Sequence, residues 1–290
     1  MKEKIRKIWN ELYRGNENLL EDFLKFLENS KCDFTPSFED GKVDWYKGAV
    51  IYSLYVDLFS EDIEGLTEKL SYFENLGINC IWLLPILESP MKDGGFDISD
   101  YKKIRPSLLR SGDQKIFEVF LAEAHRKNIR VIFDIALNHC SEEHPWFLEA
   151  RKNKKNPKRD FFIWSGTTEK YEEARIIFKG LCESNWEYDS NTGEYYFHRF
   201  FPNQPDLNYR NPEVLIEMSK TLIYWKLKGL DGFRADAIPY IWKEDNTNCE
   251  NLLQTHMVVK FFRAVLDYIQ SGTLLLAEAC QPPKKVVEYF

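Results

Sequence analysis

In the first thirty residues apolar positions recur at helical spacing: Ile5, Ile8, Trp9 and Leu12, then Leu19, Leu20, Phe23, Leu24, Phe26 and Leu27. Interrupted at Gly15-Asn16, they predict two short amphipathic helices. A turn-rich connector, Asp33 to Asp44, follows. From Trp45 the period changes. Short apolar runs alternate with helical stretches, the pattern of a parallel sheet with crossover helices. The predicted strands are 49–58, 78–84, 129–137, 230–236 and 273–277. The predicted helices are 64–76, closed by Gly77, then 113–127, 212–227 with Pro212 at its start, and 250–268.

Between the third strand and the next helix lies a long excursion, Cys140 to Arg210, rich in Trp, Phe, Tyr, Lys and Asn. A structureless loop of that length is improbable, so it reads as an inserted subdomain. About five strand–helix units are present, against the eight that close a β/α barrel. Five parallel strands leave two long unpaired edges. An open doubly wound sheet could hold that number too. The expectation is an α/β chain in three parts. Residues 1–44 form a helical extension and connector, 45–139 with 211–290 a partial (β/α)8 barrel, and 140–210 the insertion.

Composition narrows the function classes. A hydrophobic fraction of 44% with 29% charged residues is globular. The net charge of −7 argues against nucleic acid or an anionic membrane as partner. The charged start, Met1-Lys-Glu-Lys-Ile-Arg-Lys-Ile-Trp, is no signal peptide, and no apolar run approaches spanning length. The six cysteines are scattered without a Cys-x-x-Cys pair, which suits reduced thiols in a cytoplasmic protein. Aromatics at 15% lean towards a cleft that stacks rings on sugars.

The chemistry gathers at strand ends. Val131 to His139 runs through Asp134 into Asn138-His139; Gly232 to Ala237 carries Arg234 and Asp236; Leu274 to Ala279 carries Glu278. A barrel keeps its active site at the C-terminal ends of its strands. Arg234 and Asp236, two apart on a strand, face the same way, and the cation is expected to hold Asp236 ionised with a lowered pKa, as suits a nucleophile. Glu278 ends an apolar strand whose desolvation is expected to raise its pKa, as suits a general acid. Taken singly, the first pair reads equally as a structural ion pair and Glu278 as a helix cap. Two carboxyls roughly 5–5.5 Å apart are what retaining glycoside cleavage needs.

Together these three runs resemble the first three signature segments of the α-amylase superfamily of retaining glycoside hydrolases and glucosyltransferases. The resemblance covers roughly residues 45–290. It implies Asp236 as nucleophile, Glu278 as acid/base and Asp134 as a structural contact of Arg234. It also implies that His139 bonds the sugar's 6-hydroxyl and that Asp97, in Gly94-Gly95-Phe96-Asp97-Ile98-Ser99-Asp100-Tyr101, bonds the 4-hydroxyl. Phe162 and Gln204 of the insertion would line the pocket, although about half of its rings are expected to form a small core of their own. The family's fourth segment, an Asn/His-His-Asp, does not follow Glu278. The expectation is therefore a barrel whose remaining part lies elsewhere, with little turnover by this chain alone.

Within the superfamily, the stretches from Asn138-His139 to Gln204-Pro205-Asp206-Leu207-Asn208 look like trehalose synthases. Tyr55-Val56-Asp57-Leu58-Phe59 and Ile241-Trp242-Lys243 are similar to amylosucrases. Either implies a small α-glucoside or α-glucan substrate and no cofactor for the chemistry. The first also implies a structural calcium ion held by Asn138, Asp206 and the backbone oxygens of Tyr240 and Ile241. An acid belongs at the position of Lys243 in such a site, and calcium favours hard anionic oxygens.

Overall fold

The computed structural model describes residues 1–36, 38 and 43–289. Of the connector expected at 33–44, residues 37 and 39–42 lie outside the described residues. The two N-terminal helices form where the apolar stripes predict them, α1 at Lys2–Leu12 and α2 at Glu17–Asp33. Their stripes are buried through Ile5, Trp9, Leu20, Phe23 and Leu27.

Next in the chain come β1 (Ile51–Leu54) and three short helices, α3 (Val56–Ser60), α4 (Ile63–Glu68) and α5 (Leu70–Asn75). Two expectations are corrected here. The apolar run 49–58 is a strand only in its middle, because Val56–Ser60 turns into a helix whose Ser60 hydroxyl donates to Val56 O at 3.1 Å. The helix expected over 64–76 divides at Lys69, whose backbone leaves helical geometry and whose ammonium reaches Phe59 O at 2.6 Å. Then follow β2 (Cys80–Leu83), a small hairpin of β3 (Leu87–Glu88) and β4 (Asp100–Ile104), α6 (Ile116–Arg126) and β5 (Arg130–Ala136). The hairpin escaped the sequence reading because β3 is only two residues long. It frames the loop 89–99.

The insertion holds α7 (Pro145–Ala150) and an antiparallel sheet of β6 (Trp164–Ser165), β7 (Trp186–Asp189) and β8 (Glu194–Phe197), ordered β6-β8-β7. The chain then returns through α8 (Pro212–Leu227), β9 (Gly232–Asp236), α9 (Leu253–Ile269), β10 (Leu274–Ala277) and α10 (Pro283–Val286).

The main sheet runs β1-β2-β5-β9-β10, every neighbouring pair parallel. Its centre is dry, with β5 buried from Val131 to Ala136, while the outer strands expose Ile51 at 40% and Leu276 at 37%. This is a five-strand arc with two open edges among the described residues. The N-terminal helices cover α9 through Trp9 and Phe23, whose rings lie 6.1 and 6.0 Å from Phe261. Trp45 Nε1 donates to Gly272 O at 2.7 Å, tying the segment before β1 to the turn before β10. No helix among the described residues is long and apolar enough to cross a membrane.

Candidate active site

Strand register brings the carboxylates together. Asp134 of β5 lies opposite Arg234 of β9, and Ala136 opposite Asp236. On the other side Ala277 of β10 pairs with Ala235, and Glu278 N donates to Ala235 O at 2.9 Å, which sets Glu278 level with Asp236. That closeness depends on Gly232. A Cβ there would stand 2.5 Å from Leu274 O and 2.6 Å from Leu274 Cβ, so only glycine lets β10 lie against β9.

Arg234 is the hub. Its Nη1 donates to Asp134 Oδ1 and Asp236 Oδ1, both at 2.7 Å, and its Nη2 lies 3.0 Å from Glu278 Oε1. The guanidinium also sits 5.7 Å from the ring centres of both Trp82 and Phe96. Trp82 Nε1 donates to Asp134 Oδ2 at 2.9 Å. After Asp236 the chain enters the left-handed region at Ala237, φ 56°, an unfavourable geometry for a residue with a Cβ. That turn aims the Ala237 N–H at Glu278 Oε2, 2.9 Å away.

The electrostatics overturn one expectation. Burial, then the adjacent Glu278 charge, push the Asp236 carboxyl well above its ordinary range, and Arg234 opposes them without prevailing. Glu278 itself is 38% exposed, so the more desolvated member of the pair is Asp236. Burial also raises Asp134, to about 6. Three carboxyls around one guanidinium cannot all carry charge at low cost.

The other predicted residues divide. His139 is buried, with its ring 5.0 Å from Phe200, and burial lowers its pKa, leaving a neutral imidazole. Gln204 is buried beside it, Nε2 lying 3.4 Å from His139 Nε2. Asp97 is buried, close enough to His139 for its charge to act on that ring. Its carboxylate accepts from Ser89 Oγ at 2.8 Å, Lys92 N at 2.9 Å and Asp93 N at 3.2 Å, so it fastens the loop. Asp93, which the sequence reading passed over, reaches the pocket by accepting from Gln204 Nε2 at 2.9 Å. The signal was present in the acidic residue just before Gly94-Gly95. Phe162 is drawn into a core with Phe147, 5.0 Å away, and pairs by backbone with Leu207. Phe200, between His139 and Tyr240, takes the place beside the pocket.

The residues at the expected calcium site do not fit an ion. Lys243 Nζ lies 2.7 Å from Asn138 Oδ1 and 2.6 Å from Asp206 Oδ2, fully inside the protein. Asn138 Nδ2 donates to the same Asp206 oxygen at 3.0 Å. Tyr240 ends the turn Ile238–Tyr240, with Ile241 just after it. An ammonium already occupies the anionic side of that site. Among the described residues no group of three or more His, Cys, Asp or Glu is placed to hold a metal ion.

Comparison with known proteins places the chain in a family. The profile of "Alpha amylase, catalytic domain" matches residues 34–290. A trehalose synthase/amylase TreS of Mycobacterium tuberculosis is 46% identical over 253 residues, 85% of this chain and 42% of that protein. An oligo-1,6-glucosidase of Parageobacillus thermoglucosidasius is 42% identical over 208 residues, 69% of this chain and 36% of that protein. The crystal structure of the trehalose-6-phosphate hydrolase TreA of Bacillus licheniformis superposes with a TM-score of 0.73 at 33% identity, covering 82% of this chain and 45% of that one. The chain thus spans less than half the length of these relatives.

Proposed function

The chain belongs to the α-amylase catalytic-domain family, and from that premise we propose that it carries the nucleophile and acid/base of an α-retaining glucosyl-transferring enzyme, trehalose synthase-like, acting on maltose or a related short α-glucoside. On this reading residues 45–139 and 211–290 belong to the catalytic barrel, 140–210 are its inserted subdomain and 1–44 the extension that packs on α9. The observation that carries it is the pairing of Asp236 with Glu278. Both contact one guanidinium, Asp236 at 2.7 Å and Glu278 at 3.0 Å. Such proximity supports the spacing of roughly 5–5.5 Å of a retaining enzyme over the roughly 6.5–9.5 Å of an inverting one.

With one proton over the pair, the reactive arrangement has it on Glu278 and the charge on Asp236 beside Arg234. Asp236 attacks the anomeric carbon while Glu278 gives its proton to the departing oxygen, forming a covalent glucosyl-enzyme. Glu278, now a carboxylate, deprotonates the incoming hydroxyl, and the bond to Asp236 breaks with retention. A released sugar as acceptor gives transfer; water gives hydrolysis. Neutral His139, Gln204 and Asp93 offer hydrogen bonds to the glucosyl hydroxyls, with Phe96 and Phe200 as flat walls. No metal enters these steps.

Turnover by the 290-residue chain is proposed to be low. The open edges of β1 and β10 admit water to a site that works best when dry. Closing the barrel calls for three further β/α units, as a C-terminal half of the same or a separate polypeptide. The six free thiols, four of them buried, suit a reducing cytoplasmic setting. The open edges equally support a second reading, a sugar-binding module that no longer turns over.

The test is calorimetry with maltose and sucrose beside a burst assay with nitrophenyl α-glucoside. A burst near one equivalent with slow turnover supports the enzyme. Binding without a burst supports the module, and sustained fast turnover contradicts the proposed dependence on a closed barrel.

A further inference from the structure

Away from the reacting carboxyls, Glu250 joins three parts of the molecule. It is buried in the loop between β9 and α9. Its Oε1 accepts from Arg175 Nε at 2.7 Å and from an Arg199 guanidinium nitrogen, both arginines belonging to the insertion. Its Oε2 accepts from Gln281 Nε2 at 2.9 Å, three residues past Glu278. Arg175 Nη2 also donates to Tyr240 OH at 3.1 Å, and the Arg199 guanidinium lies 4.9 Å from the Tyr240 ring. Tyr240 ends the turn that follows Asp236, and its ring is 5.6 Å from Phe200, itself against His139.

The loop is built to hold this carboxylate. Cys249 and Asn251, on either side of Glu250, both adopt left-handed backbone, at φ 54° and 55°. Such geometry in residues with a Cβ persists only where the surroundings over-determine it, and it gathers at functional sites. Asn251 N donates to Pro239 O at 2.9 Å, and Asn251 Oδ1 accepts from Tyr289 OH at 2.9 Å, so the segment after β10 is fastened to this loop a second time. The two arginines hold the Glu250 carboxyl below its usual range even against burial.

Resting on the proposed glucosyl transfer, we infer that Glu250 is a positioning residue for Glu278: through Gln281 it fixes the acid/base loop, and through Arg175 and Arg199 it couples that loop to the seating of the insertion over the sugar. A sugar pressed between Phe200, His139 and the carboxyl pair therefore tightens the loop that must protonate its leaving oxygen. Donors that need no proton are indifferent to this coupling; donors with a basic leaving group depend on it.

The test uses the whole chain and two mild variants, Gln281→Ala and Arg175→Ala, with Glu250→Gln as the stronger change. Amide hydrogen exchange over 278–289 should quicken about tenfold in each variant while β5 and β9 stay protected. Single-turnover release from phenyl α-glucoside should slow about tenfold or more, and fluoride release from α-glucosyl fluoride should hold within about twofold, the signature of a misplaced general acid. Equal slowing on both donors assigns Glu250 to stability alone and overturns the inference, as does unchanged exchange over 278–289. If the unmodified chain releases no fluoride above the spontaneous rate, the nucleophile assignment fails. The exchange measurement still decides whether Glu250 governs the loop.

Discussion

Arg234 and Glu278 meet at 3.0 Å, and the same guanidinium touches Asp236 at 2.7 Å. One cation thus serves both members of the proposed reacting pair, and Asp134 at 2.7 Å as well. The arrangement holds the proposed nucleophile and acid side by side on one guanidinium.

Arg234→Ala removes the only counter-charge these contacts supply to three carboxyls. Breaking one partner out of a buried ion pair typically costs about 3–5 kcal/mol. The expected outcome is a loss of that size in urea denaturation at pH 7, smaller at pH 4 where protonation relieves the repulsion. Arg234→Lys should recover part of the stability and little of the geometry, because a lysine cannot span three acceptors in a fork.

The pH dependence follows from Asp134. Its folded pKa is raised from 3.8 to about 6, by burial first. A raised carboxyl contributes stability that is fully present below about pH 4 and is lost as pH rises through about 6, a difference of about 3 kcal/mol. Asp236 is shifted in the same direction. Asp134→Asn should therefore flatten the fall in stability between pH 4 and 7. Urea midpoints of the two proteins across that range check it; parallel curves would contradict the assignment.

Gly232→Ala tests the close approach of β9 and β10. A methyl group placed 2.5 Å from Leu274 O forces the strands apart. Overpacking of this kind costs about 1–3 kcal/mol. A lowered melting temperature together with loss of the covalent burst is expected, since Glu278 moves with β10.

Lys243 Nζ sits between Asn138 and Asp206, where the expected ion would lie. Chelator should leave the melting temperature unchanged, and added calcium should not raise it. Lys243→Met strands Asp206 in the interior, with an expected loss of about 3–5 kcal/mol. A chelator-induced drop in the unmodified protein would contradict the fit described for this site.

Most of the strand–helix alternation was legible in the sequence because β5, β9 and β10 are short, largely apolar runs carrying an acid within or just after them, and α8 carries both its proline start and its full length. The partner contacts were not. That Asp93 reaches Gln204 while Asp97 ties the loop through Ser89 and Lys92 depends on the hairpin β3–β4, which two residues of strand do not announce. Phe162 was read as a pocket wall because a ring in an aromatic-rich insertion looks alike in core and cleft; only its packing on Phe147 separates them. The Asp236 pKa went the other way because an adjacent arginine is visible in sequence and burial is not. Glu250 was read as the first residue of a helix, and nothing local signals the two arginines that reach it from 75 and 51 positions away.

The most direct test is to trap the glucosyl-enzyme. The chain, incubated with a fluorinated α-glucosyl fluoride, is digested and its labelled peptide sequenced by mass spectrometry. One sugar on Asp236, absent from Asp236→Asn and retained in Glu278→Gln because fluoride leaves without an acid, is the predicted result. A label on Asp134, Asp93 or Asp97, or none on a chain shown to bind the donor, would contradict the pairing on which the function rests.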